Sequence, residues 1–151
     1  MKLIKYFFEY ILIIILFSLF KLLGYRRASE LGYFLGKTFG PYFRSKKIIK
    51  DNLTKFDSTL THEELNIISE EMWGNYGRIL SEYPYISNFR RGDLDKYIKI
   101  ENIEILEKIK KGSPVVFVSA HFSNFELMAM AIEKAGVNLS AIYRPLNNKM
   151  V

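Results

Sequence analysis

The stretch that most narrows what this chain can fold into runs from Leu3 to Leu23. It is apolar and interrupted only by Lys5, Glu9, Ser18 and Lys21, and between Tyr10 and Phe20 Ser18 is the only polar side chain. At ~1.5 Å per residue a helix of this length just crosses a hydrocarbon core about 30 Å thick. Lys2 and Lys5 ahead of the apolar run also suit a secretory signal. No small-x-small cleavage site follows, however, and the chain continues into Lys21-Leu22-Leu23-Gly24-Tyr25-Arg26-Arg27. The expectation is an uncleaved membrane anchor over residues 1–23, with residues 24–151 forming a body behind it. The excess of basic residues on the C-terminal side of the anchor places that body on the cytoplasmic side.

Charge sharpens this division. The formal net charge is +6, yet residues 21–55 alone carry +7 and residues 56–151 carry −2. A basic belt beside an apolar stretch suits anionic lipid headgroups, where each Lys or Arg near the surface contributes roughly 1 kcal/mol. No nucleic-acid module accompanies the charge, so a membrane is the expected partner and nucleic acid is not. The chain has no cysteine, which excludes a disulfide framework, a thiolate zinc site and a cysteine nucleophile. His62 and His121 are its only histidines. No metal and no cofactor is expected.

Beyond the anchor the pattern is first helical. Arg26 to Phe39 carries Ala28, Gly32, Gly36 and Gly40 at four-residue spacing, which puts small residues on nearly one face and lets another backbone approach closely. Gly40-Pro41 stops that helix. Lys46 to Phe56 is basic and amphipathic, and either lies on a membrane or presents a solvated charged face. Thr61-His62-Glu63-Glu64 has the form of a capping box, followed by Leu65, Ile68, Met72, Tyr76 and Ile79 as a buried stripe. Glu101 to Lys111 reads as a further helix with Gly112 at its C-terminal cap. Val115 to Ala120 then reads as a buried strand, residues from about Asn124 to Ala135 as a helix ended by Gly136, and Leu139 to Tyr143 as a second strand. Strand, helix and strand with short joints predict a βαβ unit with parallel strands. The expected fold class is therefore α/β: an N-terminal anchor helix, a helical segment, and the first part of an α/β domain. Two parallel strands make no stable sheet, so the domain is expected to be incomplete.

The strand Val115–Ala120 would deliver His121 to the rim of the sheet, where α/β proteins keep their chemistry. Glu126 follows five positions later, so the two cooperate only if His121 sits in the turn before the helix and Glu126 in its first turn. Ser123-Asn124-Phe125-Glu126 is itself a capping box, with Ser123 as N-cap. That leaves two readings: Glu126 as a capping carboxylate, or Glu126 as the group that orients His121 for proton removal from an attacking hydroxyl. Arg144, in Tyr143-Arg144-Pro145 at the end of the second strand, would reach the same rim to bind phosphate or an oxyanion, or would simply mark an exit turn. Ser119 and Ser123 keep a covalent route open.

His121-Phe122-Ser123-Asn124-Phe125-Glu126 resembles the His-Phe-Gly-Asn-Trp-Glu motif of the late acyltransferases of lipid A biosynthesis, often called lauroyl or myristoyl acyltransferases. Tyr143-Arg144-Pro145, Met72-Trp73-Gly74-Asn75-Tyr76-Gly77-Arg78, Glu82-Tyr83-Pro84 and Asn52-Leu53 also look like that family. The resemblance implies transfer of a fatty acyl group from acyl carrier protein to a hydroxyl of a Kdo-bearing lipid A precursor. It implies a single-pass protein of the cell inner membrane with its catalytic part on the cytoplasmic side. His121 would be the base and Glu126 its partner, with Asn124 and Arg144 near the substrate. Ser123 for glycine and Phe125 for tryptophan depart from the motif. Family members run to roughly twice this length, so the chain is expected to be an N-terminal half, inactive alone. Two other functions compete: a glycerolipid acyltransferase, which typically carries aspartate at the position of Glu126, and a non-catalytic membrane-anchored remnant that binds a partner.

Overall fold

The computed structural model describes residues 2–109, 114–142, 144 and 146–148. Its elements are α1 (Lys2–Leu23), α2 (Tyr25–Phe39), α3 (Lys46–Phe56), α4 (His62–Glu82), α5 (Ile86–Arg91), α6 (Glu104–Ile109) and α7 (Glu126–Lys134). Short 3-10 turns occur at Gly40–Tyr42, Tyr83–Tyr85 and Asp95–Tyr97. The chain divides into two compact units: Ile14–Pro84, and Met1–Ile13 together with Tyr85–Val151.

α1 covers the apolar stretch in one unbroken helix, long and apolar enough to cross a membrane. Its polar residue Ser18 donates its hydroxyl to the Ile14 carbonyl at 2.8 Å, so the group is satisfied within the helix. Phe20 is buried, whereas Leu12, Ile15, Leu19 and Leu22 stay exposed. Such a surface is stable against hydrocarbon and costly in water.

The unit Ile14–Pro84 is built on the antiparallel pair α2–α4, and the glycine face read from the sequence is its contact surface. A Cβ at Gly77 would strike the Gly32 carbonyl oxygen, and one at Gly36 would strike the Trp73 carbonyl. A Cβ at Gly74 would enter the Tyr33 ring, and one at Gly40 the Trp73 indole, 2.5 Å from its nearest ring atoms. The two backbones therefore lie closer than any larger residue permits. Polar contacts line one edge of the pair. Ser29 donates to Glu82 at 3.1 Å, the Tyr33 hydroxyl donates to Glu71 at 2.6 Å, and Lys37 pairs with Glu70 at 3.1 Å. The Tyr33 bond holds the Glu71 carboxyl below the usual carboxylate range, and the Glu70 bond raises Lys37. At the start of α4 the expected capping box is present. Thr61 accepts from the Glu64 backbone N–H at 3.3 Å, and Glu64 accepts from the Thr61 backbone N–H at 2.8 Å.

In the second unit α7 packs on α5. Among the described residues, Tyr85, Phe89 and Ile132 are its buried apolar side chains. Arg90 pairs with Glu133, and Lys134 pairs with Asp95 at 2.8 Å. Gly92 (φ 91°) ends α5 and Gly136 (φ 81°) follows α7, both in the left-handed region that glycine enters without penalty.

The expected α/β class is not what this structure shows: among the described residues there is no strand. Val115–Ala120 and residues 139–142 run outside any helix without ladder partners, and Tyr143 lies outside the described residues. A strand exists only through hydrogen bonds to a neighbour, and an alternating or β-branched run cannot supply that neighbour itself. The predicted burial fails with the pairing, since Val116 is 86% and Val118 92% exposed. The helix expected over 101–111 starts later, at Glu104, and is described to Ile109; residues 110–111 and the proposed cap Gly112 lie outside the described residues.

Replacing Gly77 with Ala separates two effects. Helix propensity alone favours Ala by about 1 kcal/mol. The collision with Gly32 opposes it, and overpacking of this kind costs typically ~1–3 kcal/mol. The expected result is a lower melting temperature, read by circular dichroism in detergent; a higher one would show that the helices are not in this contact. The ion pairs set the pH response. Glu71, depressed in the fold, stabilises above its unfolded pKa and loses that contribution as pH falls through the folded value; Lys37, raised, loses its own as pH rises through its folded value. Stability should therefore be flat near neutrality and fall on both sides. Tyr33→Phe should lower the plateau and flatten the acid limb, which a melting series across pH would record.

Candidate functional site

His121, Asn124 and Glu126 lie where the chain enters α7. The entry is a pair of tight turns, in which the Phe122 N–H donates to the Ala120 carbonyl at 2.9 Å and the Phe125 N–H to the Ser123 carbonyl at 3.1 Å. Between them Ser123 takes φ 46°, in the left-handed region. This folds the segment back so that the His121 ring meets the Phe125 ring, with centroids 4.3 Å apart and planes tilted by 59°. His121 thus occupies the turn before the helix, and Glu126 is the first residue of α7.

The capping box expected from Ser123 does not form. The N-cap of α7 is Phe125, no side chain caps the helix, and Ser123 is displaced into its left-handed turn. Capping by Ser123 would need extended backbone, which the double turn replaces. Glu126 opens α7 itself and so does not stand at the third position of a helix capped by Ser123. Its position in the first turn still lets its negative charge meet the positive end of the helix dipole.

The dyad is not closed by a direct bond. No hydrogen bond joins His121 to Glu126 among the described residues, and the Phe125 ring is the contact His121 makes. Uncomplexed catalytic pairs are often long and tighten when substrate binds. His121 and Phe122 are exposed, Asn124 and Glu126 are half-buried, and the Asn124 Oδ1 atom is shielded from solvent. Arg144 is exposed, and among the described residues no hydrogen bond or ion pair joins it to the others; His121, Asn124 and Glu126 share the entry to α7 by chain position. Its neighbours Tyr143 and Pro145 lie outside the described residues. Phe125 was read in the sequence as the position where the motif carries tryptophan, not as a partner of His121. Its four-residue spacing from His121 is the signal that could have identified it as the platform for the imidazole. No group of metal-ligating side chains occurs among the described residues.

The left-handed Ser123 explains why glycine stands there in the motif that this segment resembles. An L-residue pays roughly 1–2 kcal/mol in that conformation, and glycine does not. Ser123→Gly should raise stability by up to about 1 kcal/mol, and Ser123→Val should lower it. Chemical denaturation of both variants is the check, and a destabilised glycine variant would place Ser123 in another conformation.

Comparison with known proteins adds one finding. The family model of the bacterial lipid A biosynthesis acyltransferases matches residues 1–151. No curated protein and no solved structure matches the chain.

Proposed function

Because the chain belongs to the bacterial lipid A biosynthesis acyltransferases, we propose that His121 and Glu126 form the base end of an acyl-transfer site. Its donor is a fatty acyl thioester of acyl carrier protein, and its acceptor is a hydroxyl of a Kdo-bearing lipid A precursor. The observation that carries this reading is the arrangement at the start of α7: an imidazole in the turn before the helix and a carboxylate at its first residue. His121 takes the proton of the acceptor hydroxyl as the oxygen attacks the thioester carbonyl carbon. The ester C–O bond forms, the C–S bond breaks, and the imidazolium returns its proton to the departing thiolate. Glu126 orients the ring and stabilises its charged form. Asn124 and Arg144 contact the substrate, with Arg144 suited to a phosphate through its planar fork of donors.

α1 holds this chemistry at the cell inner membrane, as a single pass with residues 24–151 as the cytoplasmic part of the acyltransferase domain. The belt at residues 21–55 supports that orientation. One contact favours a second placement: Asn148 donates to the Tyr6 carbonyl at 3.0 Å and to Glu9 at 3.2 Å. A spanning α1 would carry those partners to the far side, so this contact fits a helix lying along the membrane surface.

His121 is exposed, and acyl transfer to a lipid hydroxyl has to exclude water, which would otherwise take the acyl group. Residues 1–151 alone are therefore expected to give no transfer above background. Fused to the C-terminal half of a family member, the chain should acylate a Kdo-bearing precursor but not lysophosphatidate, which separates this reading from a glycerolipid acyltransferase. In that fusion His121→Ala should reduce the rate by roughly 10²–10⁴-fold, the usual contribution of a general base, with membrane association unchanged. Mass spectrometry of the lipid product is the measurement; an unaffected rate would overturn the assignment of His121 as the base.

A further inference from the structure

The unit Ile14–Pro84 holds a hollow of about 260 Å³ walled by α2, α3 and the first half of α4. Three lysines line it: Lys37 from α2, and Lys46 and Lys50 from α3. Glu70 of α4 is the acid among its lining residues. Trp73 and the buried Ile49 give it an apolar wall. Lys46 and Lys50 stand four apart on one helix, so they share a face and repel each other. The lining thus sets three ammoniums against one carboxylate, an excess of two positive charges around a small space.

The contacts show where that charge is uncompensated. Lys37 reaches Glu70 at 3.1 Å and Glu71 at 3.4 Å, so it neutralises the carboxylate on the wall. Lys50 is half-buried, and its Nζ lies 3.2 Å from Nε2 of His62. An ammonium has no lone pair, so this contact is donation to a ring nitrogen, which uses a proton without supplying a counter-charge. Lys46 is exposed and pairs with no carboxylate among the described residues. Two cations on one face therefore lack a counter-ion, beside an apolar wall that strengthens their pull on an anion. A phosphate monoester carries about −1.5 to −2 at pH 7 and three acceptor oxygens, which matches that excess. A carboxylate, with a single charge and two oxygens, matches it less well.

We propose that this hollow binds a phosphate monoester, whose oxygens accept from Lys46 and Lys50 while the carbon attached to it lies against Trp73. Lys37 keeps Glu70 from repelling the bound group. A soluble phosphate ester and a lipid headgroup that ends in a phosphate offer the same chemistry. The site uses no residue of the turn that carries His121, so it stands whether or not His121 is the base.

Ethyl phosphate is the probe, titrated against the full chain in non-ionic detergent at constant ionic strength and followed by phosphorus NMR. Saturable line broadening with a Kd in the low-millimolar range is expected, about what a few exposed charge pairs supply. Lys46→Gln and Lys50→Gln should each weaken binding by roughly fivefold. Lys47→Gln removes the same charge from the next position of α3, which does not line the hollow, and should change the Kd by less than about twofold. Circular dichroism checks that the variants keep their helices. Absence of saturable binding to the unaltered chain would overturn the proposal. So would a Lys47→Gln effect as large as that of Lys46→Gln, which would reduce the site to the diffuse field of the basic belt. Nanodiscs of phosphatidylcholine with a minor fraction of phosphatidic acid or, at equal charge, phosphatidylglycerol separate the two sources. Weaker ethyl phosphate binding in the phosphatidic acid discs supports the site with a lipid headgroup in it. Equal binding in the two supports it as a site for a soluble ester.

Discussion

The contact on which the first unit depends is backbone against backbone, where Gly32 and Gly36 of α2 meet Gly77 and the Trp73 carbonyl of α4. Glycine within a helix is unfavourable by about 1 kcal/mol relative to alanine, so these three glycines together cost about 3 kcal/mol of helix stability. That loss has to be offset by the dispersion gained when two backbones pack at close range. Close packing of small residues is also how helices associate in an apolar medium, where hydrocarbon removes the hydrophobic drive between them. The same contact brings Tyr33 within reach of Glu71 and Lys37 within reach of Glu70.

What the sequence made legible follows from this. The small-residue spacing of α2, the capping box at Thr61 and the apolar continuity of α1 are local patterns, each satisfied within one helix or across one helix pair. Their elements appear at or close to the predicted positions. The Val115–Ala120 strand was inferred from equally local evidence, but a strand is a non-local object. β-branching makes a segment suited to pairing without providing the pair, and here the run lies outside any ladder. The capping box at Ser123 failed for a related reason. The same residues support both an extended N-cap and a left-handed turn, and residue types alone do not choose between them. The turn places His121 on Phe125, a contact invisible to any reading of His121 and Glu126 as an isolated pair.

The exposed apolar surfaces of α1 and of the helix-free segments therefore need different things. A helix satisfies its own backbone, so the exposed leucines and isoleucines of α1 need only hydrocarbon around their side chains. Val116, Val118 and Ile142 are as apolar and more exposed, yet their segments carry backbone N–H and C=O groups outside helices. Hydrocarbon cannot satisfy those groups; water or another strand can. Water leaves the valines exposed, so along this segment side chains and backbone ask opposite things of their surroundings, a conflict that the internally bonded backbone of α1 does not have.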